Sequence, residues 1–135
     1  MKIKRIAHIG VAVSDTDKTS SFYTDMLNLG LDRQETLGEL KISFIPVGET
    51  NLELVQSTTP EGVMAKHVTK RGEGVHHIAY EVEDIDAALA ELKAKGVPLI
   101  DEVARPGAHG ARIAFIHPKA TFGVLTELCE YPEHQ

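Results

Sequence analysis

A single cysteine, Cys129, stands in the 135 residues, so the chain can form no internal disulfide and no cysteine-based zinc knuckle. No block of basic residues occurs, and the net charge is -6, which argues against nucleic acid as the main partner. Long apolar runs are missing too. The first strand-like stretch, Arg5 to Val13, holds a histidine and small residues and passes straight into Ser-Asp-Thr-Asp. It reads as neither a signal peptide nor a membrane span, and the expectation is a cytoplasmic protein without a membrane partner. What is present is ordinary for a globular chain: 42% hydrophobic and 25% charged residues. That length suits one domain, 1–135, able to bury roughly two-thirds of its unfolded surface.

The most informative feature is an internal repeat. His8-Ile-Gly-Val-Ala-Val-Ser-Asp15-Thr-Asp17 is matched by His77-Ile-Ala-Tyr-Glu-Val-Glu-Asp84-Ile-Asp86. In both, a strand bearing a histidine leads to aspartates suited to cap a helix, because a carboxylate at the N-cap accepts from the free amides of the first turn. The helices are expected over about Thr16 to Leu29, with Phe22, Met26 and Leu29 as the apolar stripe, and about Ile85 to Lys95, with Ala88, Leu89 and Leu92. Gly30 and Gly96 are expected to stop them.

Strands are then expected at Leu31 to Thr36, Leu40 to Val47 and Asn51 to Gln56, and again at Val97 to Val103, Ala111 to His117 and Gly123 to Glu130. A short helix is expected at Val63 to Arg71. The fold class that follows is α+β: two tandem βαβββ modules, about 4–57 and about 74–131, joined by a linker at about 58–73. Together they would form one curved mixed sheet around a metal-binding cleft.

Strand alternation places the chemistry. Ile9, Val11 and Val13 point one way and His8, Gly10 and Ala12 the other; Ile78, Tyr80 and Val82 oppose His77 and Ala79. On the closing strands, Leu52, Leu54 and Leu128 join the helix-facing core, which leaves Glu53 and Glu127 on the opposite face. His8, Glu53, His77 and Glu127 therefore make a candidate metal set. Two imidazoles and two carboxylates suit a borderline divalent ion, cobalt first, with zinc, nickel, manganese or iron as others, and suit calcium or magnesium poorly. Four protein ligands in an octahedral shell leave two positions open, as in catalytic sites. His76 is the rival to His77 and is expected to pack or hydrogen-bond on the other face. His117 and His109 are candidate substrate contacts, His67 and His134 read as surface, and Cys129 as a buried inert thiol.

The whole chain resembles the vicinal oxygen chelate superfamily of glyoxalases, bleomycin-resistance proteins and dioxygenases. Within it, Lys70-Arg-Gly-Glu-Gly-Val-His-His77-Ile-Ala-Tyr-Glu-Val, Arg105-Pro-Gly-Ala-His-Gly-Ala-Arg112, Arg112-Ile-Ala-Phe-Ile-His-Pro-Lys119 and Gly123-Val-Leu-Thr-Glu127-Leu-Cys-Glu resemble the methylmalonyl-CoA epimerase family. That resemblance implies an isomerase that interconverts (2R)- and (2S)-methylmalonyl-CoA by α-proton abstraction through a metal-stabilised enolate. His8, Glu53, His77 and Glu127 would hold the metal, and Glu127 and Glu53 would act as bases. Some members carry glutamine where Glu53 stands, and some carry an acid on the third strand where Lys41 stands here. Lys41 reads either as a partner for the substrate carboxylate or as a solvated strand lysine. Lys119, Arg112 and Lys66 are candidates for the coenzyme A phosphates, and His117 for a further substrate contact. The apolar lining is expected around Val55, Phe115 and Leu125.

The alternatives are a glyoxalase I acting on a hemithioacetal of glutathione, an iron ring-cleaving dioxygenase, and a metal-free ligand-binding protein of the same fold. A homodimer is expected of the fold.

Overall fold

In the computed structural model, which describes residues 1–132, both capping aspartates do what their sequence position demands. Asp15 lies in extended backbone and accepts from the amides of Asp17 and Lys18, starting helix α1 (Thr16–Ser21) after strand β1 (Ile3–Ala12). Asp84 accepts from the Ala87 amide and starts α3 (Ile85–Ala94) after β5 (Gly74–Val82). The remaining elements are β2 (Arg33–Leu37), β3 (Leu40–Val47), β4 (Thr50–Ser57), α2 (Val63–Arg71), β6 (Arg105–Pro106), β7 (Arg112–Ile116) and β8 (Thr126–Glu130). The α+β class and the order of strand, helix and three strands in each module hold.

The chain divides into two compact units: His8–His76, and Met1–Ala7 with the residues from His77 onward. In the first, the strands lie in the order β2-β3-β4-β1, with β1 parallel to β4 and the other neighbours antiparallel. In the second the order is β5-β8-β7-β6, with β5 parallel to β8 and the rest antiparallel. Each unit is thus a small mixed sheet with the same connectivity, β1, β2, β3 and β4 answering to β5, β6, β7 and β8. The opening residues of β1 are tied into the second unit, where the Arg5 Nε donates to Glu81 Oε1 at 2.6 Å.

Alternation along the strands separates two faces, as the period-2 pattern requires. Val13, Ile45 and Leu54, with Val11 and Leu52, pack beneath Tyr23 and Leu29 in the first unit. Val82, Ala114, Ile116 and Leu128, with Tyr80, pack beneath Ile85, Ala88, Leu89 and Leu92 in the second.

Two elements depart from expectation. The first helix ends at Ser21 and continues as a π-helical turn, Phe22–Met26. A wider turn takes more residues per revolution and rotates everything after it about the axis. Phe22 and Met26 are consequently 54% and 70% exposed, while Leu29 packs inward as expected and is joined there by Tyr23. The Leu29 amide donates to Tyr23 O at 3.1 Å and the chain reverses at Asn28, with φ +58, so Gly30 is not the stop. Gly96, at φ +76, does end α3.

The second departure is the expected strand at Val97 to Val103. Only Leu99 bridges, to Ile116. The amides of Ile100 and Asp101 both donate to Phe115 O, and the Asp101 carboxylate accepts from the Phe115 amide at 2.9 Å. Pro98 has no amide to donate, and a side chain that takes the neighbour's N–H displaces the ladder bond a strand would make.

Helix α2, at the bounds expected, lacks a capping side chain of its own at Gly62. Its first amides are received from outside: Ser57 Oγ accepts from Met64 and Ala65 at 2.9 and 3.1 Å, and Glu39 Oε1 from Val63 at 3.2 Å. A Cβ at position 62 would collide with Ser57 and Glu39. Ser57→Ala is expected to lower unfolding free energy by about 1 kcal/mol, the usual worth of a cap, and Gly62→Ala by at least as much. Urea unfolding of both variants checks this, and an unchanged midpoint for Ser57→Ala would show that water replaces the hydroxyl.

Candidate functional site

Each unit buries one histidine–glutamate pair on the face away from its helix. In the first, parallel pairing of β1 with β4 sets Gly10 beside Glu53, and the His8 Nδ1 lies 3.0 Å from Glu53 Oε2. In the second, β5 beside β8 sets Ala79 next to Glu127, and the His77 Nε2 lies 3.2 Å from Glu127 Oε1. All four side chains are buried, at 4–6% exposure. The small residue two positions after each histidine is what lets the glutamate of the neighbouring strand turn toward the imidazole. On the far side each glutamate faces a phenylalanine in register: Phe44 opposite Glu53 and Phe115 opposite Glu127. The Phe115 ring meets the His77 ring edge-on, with centroids 5.6 Å apart.

The chemistry of this donor set is specific. A buried carboxylate is costly unless its charge is compensated, and a neutral imidazole compensates only as far as a hydrogen bond can. Two such pairs carry two acid groups and two nitrogen donors. A divalent cation with mixed nitrogen and oxygen preference matches the donor types of each pair. The pairs also suit proton transfer, since a carboxylate in hydrogen-bond contact with an imidazole can exchange a proton with it.

The other residues named from sequence sit in various settings. Lys41 Nζ is 3.0 Å from Asp17 Oδ2, so it is neither simply solvated nor aimed at the glutamates. Asp17 is held below the ordinary carboxylate range, first by the Gln34 amide and then by Lys41. The Arg112 guanidinium grips Asp86 with two bonds, 2.8 and 2.9 Å. That fork pulls the Asp86 carboxyl down and pushes Arg112 further up. His117 is exposed and its Nδ1 accepts from the Lys119 amide at 3.0 Å. Lys119 and Lys66 have exposed side chains.

His109 takes a left-handed conformation, φ +62, and packs on Tyr131. His76 does pack on its own side, edge-on to His67 at 4.7 Å; His67 is accordingly half-buried and not the surface residue expected, because α2 lays it against β5. Cys129 is fully buried among Ala7, Ala79, Ala111 and Ile113, with Sγ 3.6 Å from Tyr80 O. Val55 is buried and Leu125 half-buried. His134 lies outside the described residues.

Phe44 went unnoticed in the sequence. It precedes Glu53 by nine residues while Phe115 precedes Glu127 by twelve, and that inequality of the connecting loops hides the correspondence from a repeat read at constant spacing.

Comparison with known proteins agrees with this architecture along the full chain. A family profile described as the glyoxalase/bleomycin resistance protein/dioxygenase superfamily matches residues 7–115. An uncharacterised protein of Bacillus subtilis is 40% identical over 130 residues, 95% of this chain and 93% of that one. The mitochondrial methylmalonyl-CoA epimerase of Mus musculus is 37% identical over 130 residues, covering 94% of this chain and 73% of the mouse protein. Among solved structures, a Streptomyces coelicolor methylmalonyl-CoA epimerase in complex with 2-nitronate-propionyl-CoA superposes with a TM-score of 0.92 at 34% identity, over 98% of this chain and 97% of that one. The repeated module, its strand pairing and these matches lead to one conclusion: the chain belongs to the glyoxalase/bleomycin resistance protein/dioxygenase superfamily.

Proposed function

We propose that this protein interconverts the two C2 epimers of methylmalonyl-CoA by removing the proton at C2 and returning it on the opposite face. It is an enzyme of the isomerase class, as its epimerase relatives are. The observation that carries the finer reading is the duplicated pair: two buried glutamates, each in contact with an imidazole and each at the same place in its module. Inversion at a carbon needs a proton acceptor on one side and a donor on the other, and a duplicated acid supplies both with one design.

His8, Glu53, His77 and Glu127 would hold a divalent ion, cobalt, zinc, nickel and manganese all being compatible with the donors. When bound, the ion supplies positive charge opposite the negative charge that develops on the thioester oxygen as the C2 proton leaves. Glu127 takes or gives the proton on one face and Glu53 on the other, each through a carboxylate oxygen. Phe44 and Phe115, opposite those glutamates in register, would put apolar surface beside the reacting carbon. His117 and Lys119, both exposed after β7, and Arg112 would meet the coenzyme A portion. For Arg112 this requires letting go of Asp86, and the two-bond fork makes it the least ready of the three.

The test is incubation of the cobalt-loaded protein with (2R)-methylmalonyl-CoA in deuterium oxide. Deuterium at C2 together with the (2S) epimer is expected. Absence of exchange with metal present would overturn the proposal and favour the hemithioacetal of methylglyoxal and glutathione, whose turnover to a thioester also moves a proton between adjacent carbons.

A further inference from the structure

The duplication repeats one arrangement beyond the histidines and glutamates: the phenylalanine opposite each glutamate is covered by an arginine. The guanidinium carbon of Arg105 lies 5.5 Å from the centre of the Phe115 ring, and that of Arg33 lies 5.2 Å from the centre of the Phe44 ring. Arg33 opens β2 and Arg105 opens β6, the equivalent strands of the two modules. Each arginine is also tied to a nearby acid, Arg33 to Glu35 at 3.0 Å and Arg105 to Asp101 at 3.2 Å. These arginine side chains are 42% and 51% exposed. At such exposure ion pairs and cation–π contacts add little to stability, so stability does not account for their appearance in both halves.

In the second unit the chain of contacts runs on to the working groups. One Asp101 carboxylate receives both the Arg105 Nε–H and the Phe115 backbone N–H, at 3.2 and 2.9 Å. It thereby fixes the cation and the backbone of the residue whose ring that cation covers. The same ring stands edge-on to His77, at 81° between planes, and Phe115 is the register partner of Glu127. An imidazole flanked by a fixed ring loses rotation about its outer torsion and keeps its nitrogen toward Glu127.

We propose that Arg105 is a positioning residue for proton transfer: anchored by Asp101, it holds the Phe115 ring that orients His77 beside Glu127. This rests on the reading of His77 and Glu127 as working groups of an epimerase.

Arg105→Gln, Phe115→Leu and the double variant test it, through steady-state epimerisation and through the His77 imidazole proton resonances. A ring edge-on to His77 shifts those resonances, and a merely structural arginine would leave them where they are. Arg105→Gln is expected to lower kcat roughly tenfold, since misplacement well below 1 Å is enough for that, with KM within about twofold. The melting temperature stays close to that of the parent. The His77 resonances move toward their positions in Phe115→Leu, and the double variant is no slower than Phe115→Leu, because residues acting through one another are not additive. Unmoved His77 resonances or additive losses would overturn the proposal. So would a rise in KM at constant kcat, which would make Arg105 a substrate contact. If the parent protein itself fails to exchange the C2 proton, the epimerase reading falls, and the resonances still decide whether Arg105 orients His77.

Discussion

Replacing Glu127 by glutamine is expected to slow epimerisation by roughly a hundred- to ten-thousand-fold, the range seen when a positioned acid–base group is lost, while the protein stays folded. Glutamine has the shape of glutamate, and its amide oxygen can still accept from His77 Nε2 at the 3.2 Å now separating that pair. It keeps an oxygen donor for a cation as well. What it cannot do is take a proton from carbon. The two-acid arrangement adds a sharper expectation: Glu127→Gln should still wash deuterium into one epimer, through Glu53, without converting it to the other. Glu53→Gln should show the mirror pattern with the opposite epimer. Chiral analysis of recovered substrate after incubation in deuterium oxide separates these outcomes. Wild-type kcat in Glu127→Gln would remove Glu127 from the chemistry and leave it at most a ligand.

Both glutamates were legible because a strand has period two. Once Leu52, Leu54 and Leu128 are placed against helices, Glu53 and Glu127 have one face left, and the histidines follow from Val11, Val13, Tyr80 and Val82 by the same parity. The aspartate caps and α2 were legible for a similarly local reason, since capping and helix propensity act within a few residues.

What escaped depends on contacts between distant residues. The π-helical turn at Phe22–Met26 shifts one hydrogen-bond register and puts Tyr23, in place of Phe22 and Met26, beside Leu29 on the buried side. Phe22, Met26 and Leu29 are spaced for an α-helical face, and only the folded chain, with its wider turn, brings Tyr23 inward. The stretch around Leu99 has strand composition, yet the Asp101 side chain claims the Phe115 amide. Arg112 reads as a basic residue available to phosphate until folding brings Asp86 of α3 against it. Lys41 likewise finds Asp17 only in the folded chain.

Stripping divalent metal with a chelator is expected to abolish deuterium exchange and to lower the melting temperature by roughly 10 °C, and adding cobalt back to restore both. The size follows from linkage. An ion that binds only the folded chain, present at a hundredfold excess over its dissociation constant, contributes about 2.7 kcal/mol, and each kcal/mol moves the melting point of a domain this size by about 4 °C. The sign follows from the burial of Glu53 and Glu127 at 5% and 4% exposure. Without a cation the buried carboxylates keep imidazole neighbours in His8 and His77, and a neutral imidazole offsets less of a buried charge than a divalent ion does. His8→Ala supplies the control. It removes one nitrogen donor, so the chelator-dependent part of the melting shift should shrink by more than half while Glu53 loses the imidazole now 3.0 Å from its carboxylate. Equal melting temperatures with and without metal in the parent protein would sever the four residues from any resident ion. The two histidine–glutamate pairs would then stand as proton carriers alone, and the deuterium experiment on metal-free protein would show whether they suffice.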